Sequence, residues 1–457
     1  MDRLQKSVLV MVLLNGFATP LMLSSVNVAL PDMADALALS AISLSWVQMI
    51  YLMASAMFVM QFGSLADRLG RKRVFLYGTA AVVVTSVLAA LSINDTMLLS
   101  ARFLQGVASA ALAATQVALV SSVFAPKERG QMIGLLVASI YIGLAAGPLI
   151  GGFVIDTVGW RWVFLLQIPL ALVVLALGTW RVPGEWAAES RAAYDAIGSI
   201  GYSIAILLLC LAVSRMPALD GFALLLAGVL CMIYVVRHAL RSPAPFWDMR
   251  LFFTNRVFTL SCGASLIMYS ATYANVVLIS LFLQYLKGLP ASQAGMIMMV
   301  QPLTMAVLSP LAGRLSDRLE PRLLASAGMA VTALGLASLA SLTSTSSLTA
   351  MVLALLLTGV GFSLFSSPNV NAIMSSVEPR LMGSASGAVA TMRLLGQLTS
   401  MVLVTLMLTL LLGNTTIAPE QYPQLEHSIR LSLGLAALLC VPGIAMSLAR
   451  GRLRRSL

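Results

Sequence analysis

An eleven-residue stretch, Gly63-Ser-Leu-Ala-Asp67-Arg68-Leu-Gly70-Arg71-Lys72-Arg73, packs one acid and four bases between two long apolar runs. Mixed charge in so tight a turn suits an electrostatic latch. Asp67, Arg68 and Arg71 could pair across a moving interface and let go again, with Gly63 ending the preceding helix. The pattern returns 250 residues later as Gly313-Arg-Leu-Ser-Asp317-Arg318-Leu-Glu320-Pro321-Arg322. A loop that was basic only for topological reasons would not repeat its acid in register. Glu320 stands where the first copy has Gly70, so the second latch is expected to be the weaker. Two further bases, Arg102 and Arg393, sit inside apolar runs. An arginine facing hydrocarbon is costly, so each should point into protein or a cavity. Arg102 could instead snorkel to the headgroups or pair with Asp95. Arg393 could pair with a helix end, line a cavity or meet an anionic substrate group.

The elements that position these residues follow from composition. Of 457 residues, 59% are hydrophobic and 10% charged, against about 45–50% and about 25% in soluble domains. This excludes a soluble enzyme, a disordered chain and a nucleic-acid-binding domain. Fourteen charge-poor runs, the first near 7–31 and the last near 431–449, are long enough to span a bilayer as helices. They are continuous rather than alternating, which excludes a barrel. With the N-terminus inside, 22 of the 28 Lys and Arg fall in cytoplasmic segments, four in external links, and Arg102 and Arg393 within spans. Both termini are therefore expected in the cytoplasm, and the net charge of +11 is a topology signal rather than a nucleic-acid signal. The run following Arg3 and Lys6 is too long for a signal-peptide core and is expected to remain as the first span. Cys210, Cys231, Cys262 and Cys440 lie in apolar runs far from either histidine, so neither a disulfide framework nor a metal site is expected.

Gly106, Gly130, Gly134 and Gly143 recur at Gly359, Gly383, Gly387 and Gly396, offset by 253. The chain is expected to be all-α, two parallel six-helix bundles over 1–181 and 257–457, with an inserted helix pair and its links over 182–256. Parallel halves place a cavity at their interface near the bilayer midplane, the arrangement of alternating-access transporters. Methionines on one face of span 2 (Met49, Met53, Met57, Met60) and in span 10 suit an adaptable apolar surface, or serve as filler.

The first loop, Gly63-x-Leu65-x-Asp67-Arg68-x-Gly70-Arg71-Lys72, resembles that of the major facilitator superfamily. Fourteen spans resemble its drug:proton antiporter branch (EmrB/QacA-type exporters). So do Asn27-Val-Ala-Leu-Pro31, Leu98 with Arg102-x-x-Gln105-Gly106, Gly143-x-x-x-Gly147-Pro148-x-x-Gly151-Gly152, and Trp160-Arg-Trp-Val-Phe164-Leu-Leu-Gln-Ile-Pro169. The resemblance covers nearly the whole chain. It implies no enzyme and no cofactor beyond a proton gradient, but an inner-membrane exporter of small amphipathic molecules. Asp67, Arg68, Arg71, Arg102, Asp317 and Arg318 would act in switch and relay, and Gly143, Gly147, Pro148, Gly151 and Gly152 in an external gate. The partners implied are substrate and lipid bilayer, with a periplasmic adaptor and outer-membrane channel possible around a monomer.

One departure stands out. The family's first span carries an acid five residues before the asparagine of Asn27-Val-Ala-Leu-Pro31; here that residue is Met22. None of the 17 acids falls deep in a span. Proton coupling would then need a boundary acid (Asp32, Asp35 or Asp67) or protons carried on the substrate, and neutral or anionic amphiphiles gain over cations. Pocket residues chosen as polar or aromatic within spans are Asn27, Met53, Tyr141, Tyr269, Tyr273, Gln301, Phe365 and Asn369, with Arg393. An exporter of one endogenous lipid-like or anionic metabolite without strict proton coupling is the alternative, and a transporter-like sensor or scaffold a second.

Overall fold

The computed structural model describes residues 1–186, 195–242, 246, 249–316, 318–378, 382–413 and 415–451. Fourteen helices among them are long and apolar enough to cross a membrane. They are α1 (Arg3–Leu37), α2 (Ala41–Leu69), α3 (Arg71–Ala90), α4 (Asp95–Val123) and α5 (Gln131–Val158). Next come α6 (Arg161–Trp180), α7 (Ala196–Arg215), α8 (Leu219–Arg241), α9 (Arg256–Leu286) and α10 (Ala291–Ser316). The last are α11 (Pro321–Ser341), α12 (Leu348–Ser375), α13 (Ala385–Leu411) and α14 (Pro419–Ala449). An even number of spans returns the chain to the face where it starts, here called the terminal face; the other is the far face.

Local sequence explains where the helices begin. Asp2, Ser40, Asn94, Asp195, Asn255 and Ser347 each accept a backbone N–H of the first turn, satisfying donors that the helix itself leaves unpaired. One expected stop moves. Helix α2 runs through Gly63 and ends at Leu69, where Gly70 takes φ +109°. The turn needs a left-handed residue, and Gly70 meets that need seven residues after Gly63.

In the first half α1 packs on α5 and α6, α4 on α2 and α3, and α3 on α6. In the second, α9 packs on α13 and α14, α12 on α10 and α11, and α11 on α14. The sequence repeat is thus a packing repeat. The halves meet along α2 against α13 and α5 against α10, with α1 touching α9. Helices α7 and α8 pack on each other, and α7 leans on α2 and α13. Trp46 Nε1 donates to Ser214 Oγ at 2.7 Å and Gln61 Nε2 to Ser203 Oγ at 2.7 Å, tying α7 along α2. Asp195 joins the inserted pair at the terminal face through His238 Nε2 at 2.8 Å. Burial opposes the charge on Asp195, but hydrogen bonds from Gly198 N–H, His238 and Phe246 N–H outweigh it and hold the carboxyl below the usual range. Its stabilising contribution is present above the ordinary carboxylate range and is lost as pH falls through the lowered value.

Candidate functional site

Arg102 is fully buried, neither snorkelling nor paired with Asp95. Its Nε donates to Val47 O at 3.0 Å, Nη2 to Gln48 Oε1 at 3.2 Å and Nη1 to Gln105 Oε1 at 2.5 Å, while Tyr51 lies 4.4 Å under the guanidinium. The amides carry the network onward. Gln48 Nε2 donates to Asn27 Oδ1 at 2.6 Å, Gln105 Nε2 to Ser86 Oγ at 3.0 Å, and Gln167 Nε2 to the same hydroxyl at 2.7 Å. A single cation therefore organises side chains of α1, α2, α3, α4 and α6. No carboxylate takes part among these contacts. The Met22 sulfur sits 3.8 Å from Nη1, so the residue standing at the expected acid's position touches the buried cation itself.

A second cluster forms where the halves meet. The hydroxyls of Tyr141 on α5 and Ser366 on α12 are 3.3 Å apart. Tyr269 of α9 lies within hydrogen-bonding reach of Ser366 and in electrostatic range of Tyr141 and Arg393, with its ring edge-on to Phe362 at 5.4 Å. Helix α9 is interrupted between Thr272 and Asn275, and Tyr273 at this break lies in electrostatic range of Arg102 and Tyr51. The tyrosines thus bridge the two arginine environments. Broken helices at membrane depth occur where protein or a cavity satisfies the freed backbone, and here Ser400 Oγ accepts Ala274 N–H at 3.0 Å.

The sequence-derived pocket set separates on this geometry. Tyr141, Tyr269, Tyr273 and Arg393 converge at the seam, each only partly buried. Asn27 belongs to the Arg102 network, Met53 and Gln301 are buried, and Phe365 packs in a core with Met268, Met305, Met329 and Phe362. Asn369 requires a correction: it is wholly buried, donating to Ser261 O at 3.0 Å and Ser265 Oγ at 2.8 Å and accepting from Arg450 Nη1 at 2.6 Å. Those partners all lie inside the second half. Arg450 itself looked like an ordinary tail base, yet it is 1% exposed, and burial draws its guanidinium down to about 10. Gln48, Gln167 and Ser366 were also missed; amides and hydroxyls inside spans were their only signal.

The five gate residues divide as well. Cβ atoms on Gly143, Gly147 and Gly151 would strike Phe17 O at 2.4 Å, Ser24 Cβ at 2.6 Å and Ser25 Cβ at 2.6 Å, all on α1. This strip joins α5 to α1 inside one half. Gly152 instead faces the other half, where a Cβ would meet Ala291 O at 2.4 Å, and Pro148 O lies 2.0 Å from the Cβ position of Gly295. Further cross-half hydrogen bonds gather at the far face. Gln284 Nε2 donates to Val28 O at 2.8 Å, Ser292 N–H to Asp156 Oδ2 at 2.9 Å, and Ala41 N–H to Thr415 O at 2.9 Å. Tyr285 reaches Asp35 at 3.5 Å. Toward the terminal face, Gly63, Gly134 and Gly387 have open space where a side chain would stand.

In the first loop Asp67 pairs with Arg71 at 2.9 Å, and Arg71 also donates to Ser122 Oγ at 2.8 Å. Asp67 is thus held within its own half in this state. Asp317 lies outside the described residues, and Arg318 follows it in the second loop. Glu185, beyond α6, does what Gly70 cannot: it caps α3 by accepting Lys72 N–H at 2.7 Å and Arg73 N–H at 3.0 Å. Glu185→Ala is expected to cost about 1–2 kcal/mol, seen as a lower melting temperature in detergent; an unchanged melt would remove the capping role.

The helical repeat, the cross-half seam and the broken mid-membrane helix define a transporter-type membrane protein. Residues 12–401 match the Major Facilitator Superfamily model, and the chain belongs to that superfamily: it is a carrier, not an enzyme. It is 30% identical over 389 residues to the riboflavin transporter RibZ of Clostridioides difficile (strain 630), covering 84% of each chain. It is 32% identical over 378 residues to the multidrug resistance protein Stp of Mycobacterium tuberculosis, covering 81% of this chain and 70% of that one. Its fold is similar to that of a bacterial homologue of the human lysosomal transporter Spinster, solved inward-facing and unoccupied. The TM-score is 0.72 at 16% identity, covering 98% of this chain and 97% of that one.

Proposed function

We propose that this transporter exports amphipathic small molecules across the inner membrane by alternating access, in exchange for protons. The terminal face is cytoplasmic under this reading, supported by the 22 basic residues placed there. The observation that carries it is the seam itself: tyrosines and an arginine midway, beneath a far face sealed by Gly152, Gly295 and their neighbours. With the far face shut, the terminal face is the side left for loading, as export requires. Asp35 and Asp156 already accept hydrogen bonds across the far seam, so closing that seam engages both carboxylates. With Asp32 nearby they supply a boundary route for protons in place of a buried acid.

In everted vesicles acidified inside, an amphipathic dye is expected to accumulate, and an ionophore that collapses the gradient to stop it. Accumulation indifferent to the gradient would remove antiport, and no accumulation of any dye would remove export. Asp67→Asn is expected to slow accumulation of every dye at least about tenfold by unlatching the first loop; a normal rate would end its role as a switch. The lack of a carboxylate in the Arg102 network favours, as a second reading, an exporter of one lipid-like or anionic metabolite without strict proton coupling. A monomer acts in either case, and docking of a periplasmic adaptor with an outer-membrane channel is compatible with both.

A further inference from the structure

We infer that Arg393 is the counter-ion for an anionic group on the transported molecule, a carboxylate, sulfonate or phosphate attached to an aromatic or apolar body. The inference rests on the export reading and assigns its substrate class. Arg393 lies about three turns into the helix Met382–Leu411, well inside the span. It shares a face with Gly396 and Ser400, one and two turns on. The Cβ position of Gly396 is 2.6 Å from Leu266 O and 2.7 Å from Tyr269 Cβ, and Ser400 accepts Ala274 N–H. That face therefore looks at α9 and the seam, not at lipid. The side chain is half-buried, and among the described residues no carboxylate or hydrogen-bond acceptor is paired with it.

This sets Arg393 apart from Arg102. The Arg102 guanidinium is already engaged by a carbonyl and two amides and leaves no site for a ligand. Arg393 holds its donors unspent beside an aromatic wall, with Tyr141 contributed by one half and Tyr269 by the other. A guanidinium with free donors in a region of low dielectric favours a planar or tetrahedral oxyanion, which it can hold by charge and by two parallel N–H bonds. The tyrosine rings supply apolar surface and their hydroxyls further donors. Because Tyr141 and Tyr269 belong to opposite halves, a molecule seated between them and held by Arg393 would bridge the two bodies that move.

Pyrenebutyrate and its uncharged amide give matched probes. Purified wild-type protein in detergent is expected to bind the anion at least about tenfold tighter than the amide, read by tyrosine and tryptophan quenching. Arg393→Gln is expected to remove that preference, so that the two probes bind with equal affinity, and Arg393→Lys to keep the preference in weaker form. Melting curves report whether each variant is folded, and the lysine variant carries the test if the glutamine variant is not. Equal binding of both probes by wild type, binding of neither, or equal loss of both in Arg393→Gln would overturn the assignment. Transport in vesicles separates the two readings. Selective binding without movement would sink export and keep the anion site; movement of both probes alike, insensitive to Arg393→Gln, would do the reverse.

Discussion

Gly295→Leu is expected to hold the protein parted at the far face and to abolish transport. The Cβ position of Gly295 lies 2.0 Å from Pro148 O and 2.7 Å from Pro148 C, and that of Gly152 lies 2.4 Å from Ala291 O. All of these are backbone atoms of the opposing half, so no rotamer change can relieve the overlap. Ordinary overpacking costs about 1–3 kcal/mol, and a backbone clash on a bulky side chain costs more. Inverting a two-state population from 1:99 to 99:1 requires about 5.5 kcal/mol. One leucine accounts for most of this, and Gly152→Leu beside it supplies the rest. The measurement is labelling by a membrane-impermeant maleimide of a cysteine introduced at Ala41, which is buried where its N–H donates to Thr415 O across the shut seam. Labelling should rise at least about tenfold as transport disappears. Slow labelling and normal transport in Gly295→Leu would remove the gate from this pair. Gly147→Ala makes the control, because its overlap with Ser24 Cβ and Leu21 O lies within one half and should lower thermal stability without opening the seam.

The second large effect concerns Arg102. Arg102→Leu strands Gln48 Oε1 and Gln105 Oε1 in a buried site and removes a second bond to Val47 O, and each unsatisfied group costs about 1–3 kcal/mol. Partial rearrangement of the amides brings the expected loss of stability to about 3–5 kcal/mol, together with loss of transport. Arg102→Lys keeps the charge but not the planar fork, so a single ammonium cannot serve three acceptors on α2 and α4 and is expected to rescue little. Met22→Asp is the informative counterpart. It places a carboxylate beside Nη1, where the thioether sulfur now lies 3.8 Å away, and creates a buried group that can exchange a proton against the pairing with Arg102. Transport by this variant is expected to depend more steeply on the pH gradient than wild type does. Initial rates at several gradients read this directly, and identical slopes would mean that the Arg102 network takes no part in coupling.

Much of the site was legible because it obeys rules that act along the chain. Arg102 announced itself as a base within an apolar run, and the duplicated loops and glycines showed that a second half must mirror the first. Asn369 misled because a polar residue in a span reads the same whether it faces a cavity or satisfies a buried neighbour; its neighbour, Arg450, lies 81 residues further on. Glu185 could not be recognised as the cap of α3, since the capped N–H groups belong to residues more than a hundred positions earlier. The glycine strip divided for a helical reason. Gly151 and Gly152 are adjacent, but about 100° of rotation separates neighbouring residues on a helix, so one meets α1 and the other α10.

What the sequence determined alone was everything set by the bilayer as solvent: helices rather than strands, fourteen of them, the imbalance of bases between the two faces, and a membrane interior without acids. These depend on the transfer cost of each residue, which needs no partner to be known. Tertiary structure decided the pairings: which arginine is satisfied and which holds its donors free, which glycine joins a half and which closes the seam, and that Met22 rests on Arg102. Hydrogen bonds and close packing act over about 3–4 Å, and only the fold brings residues so distant in sequence within that range.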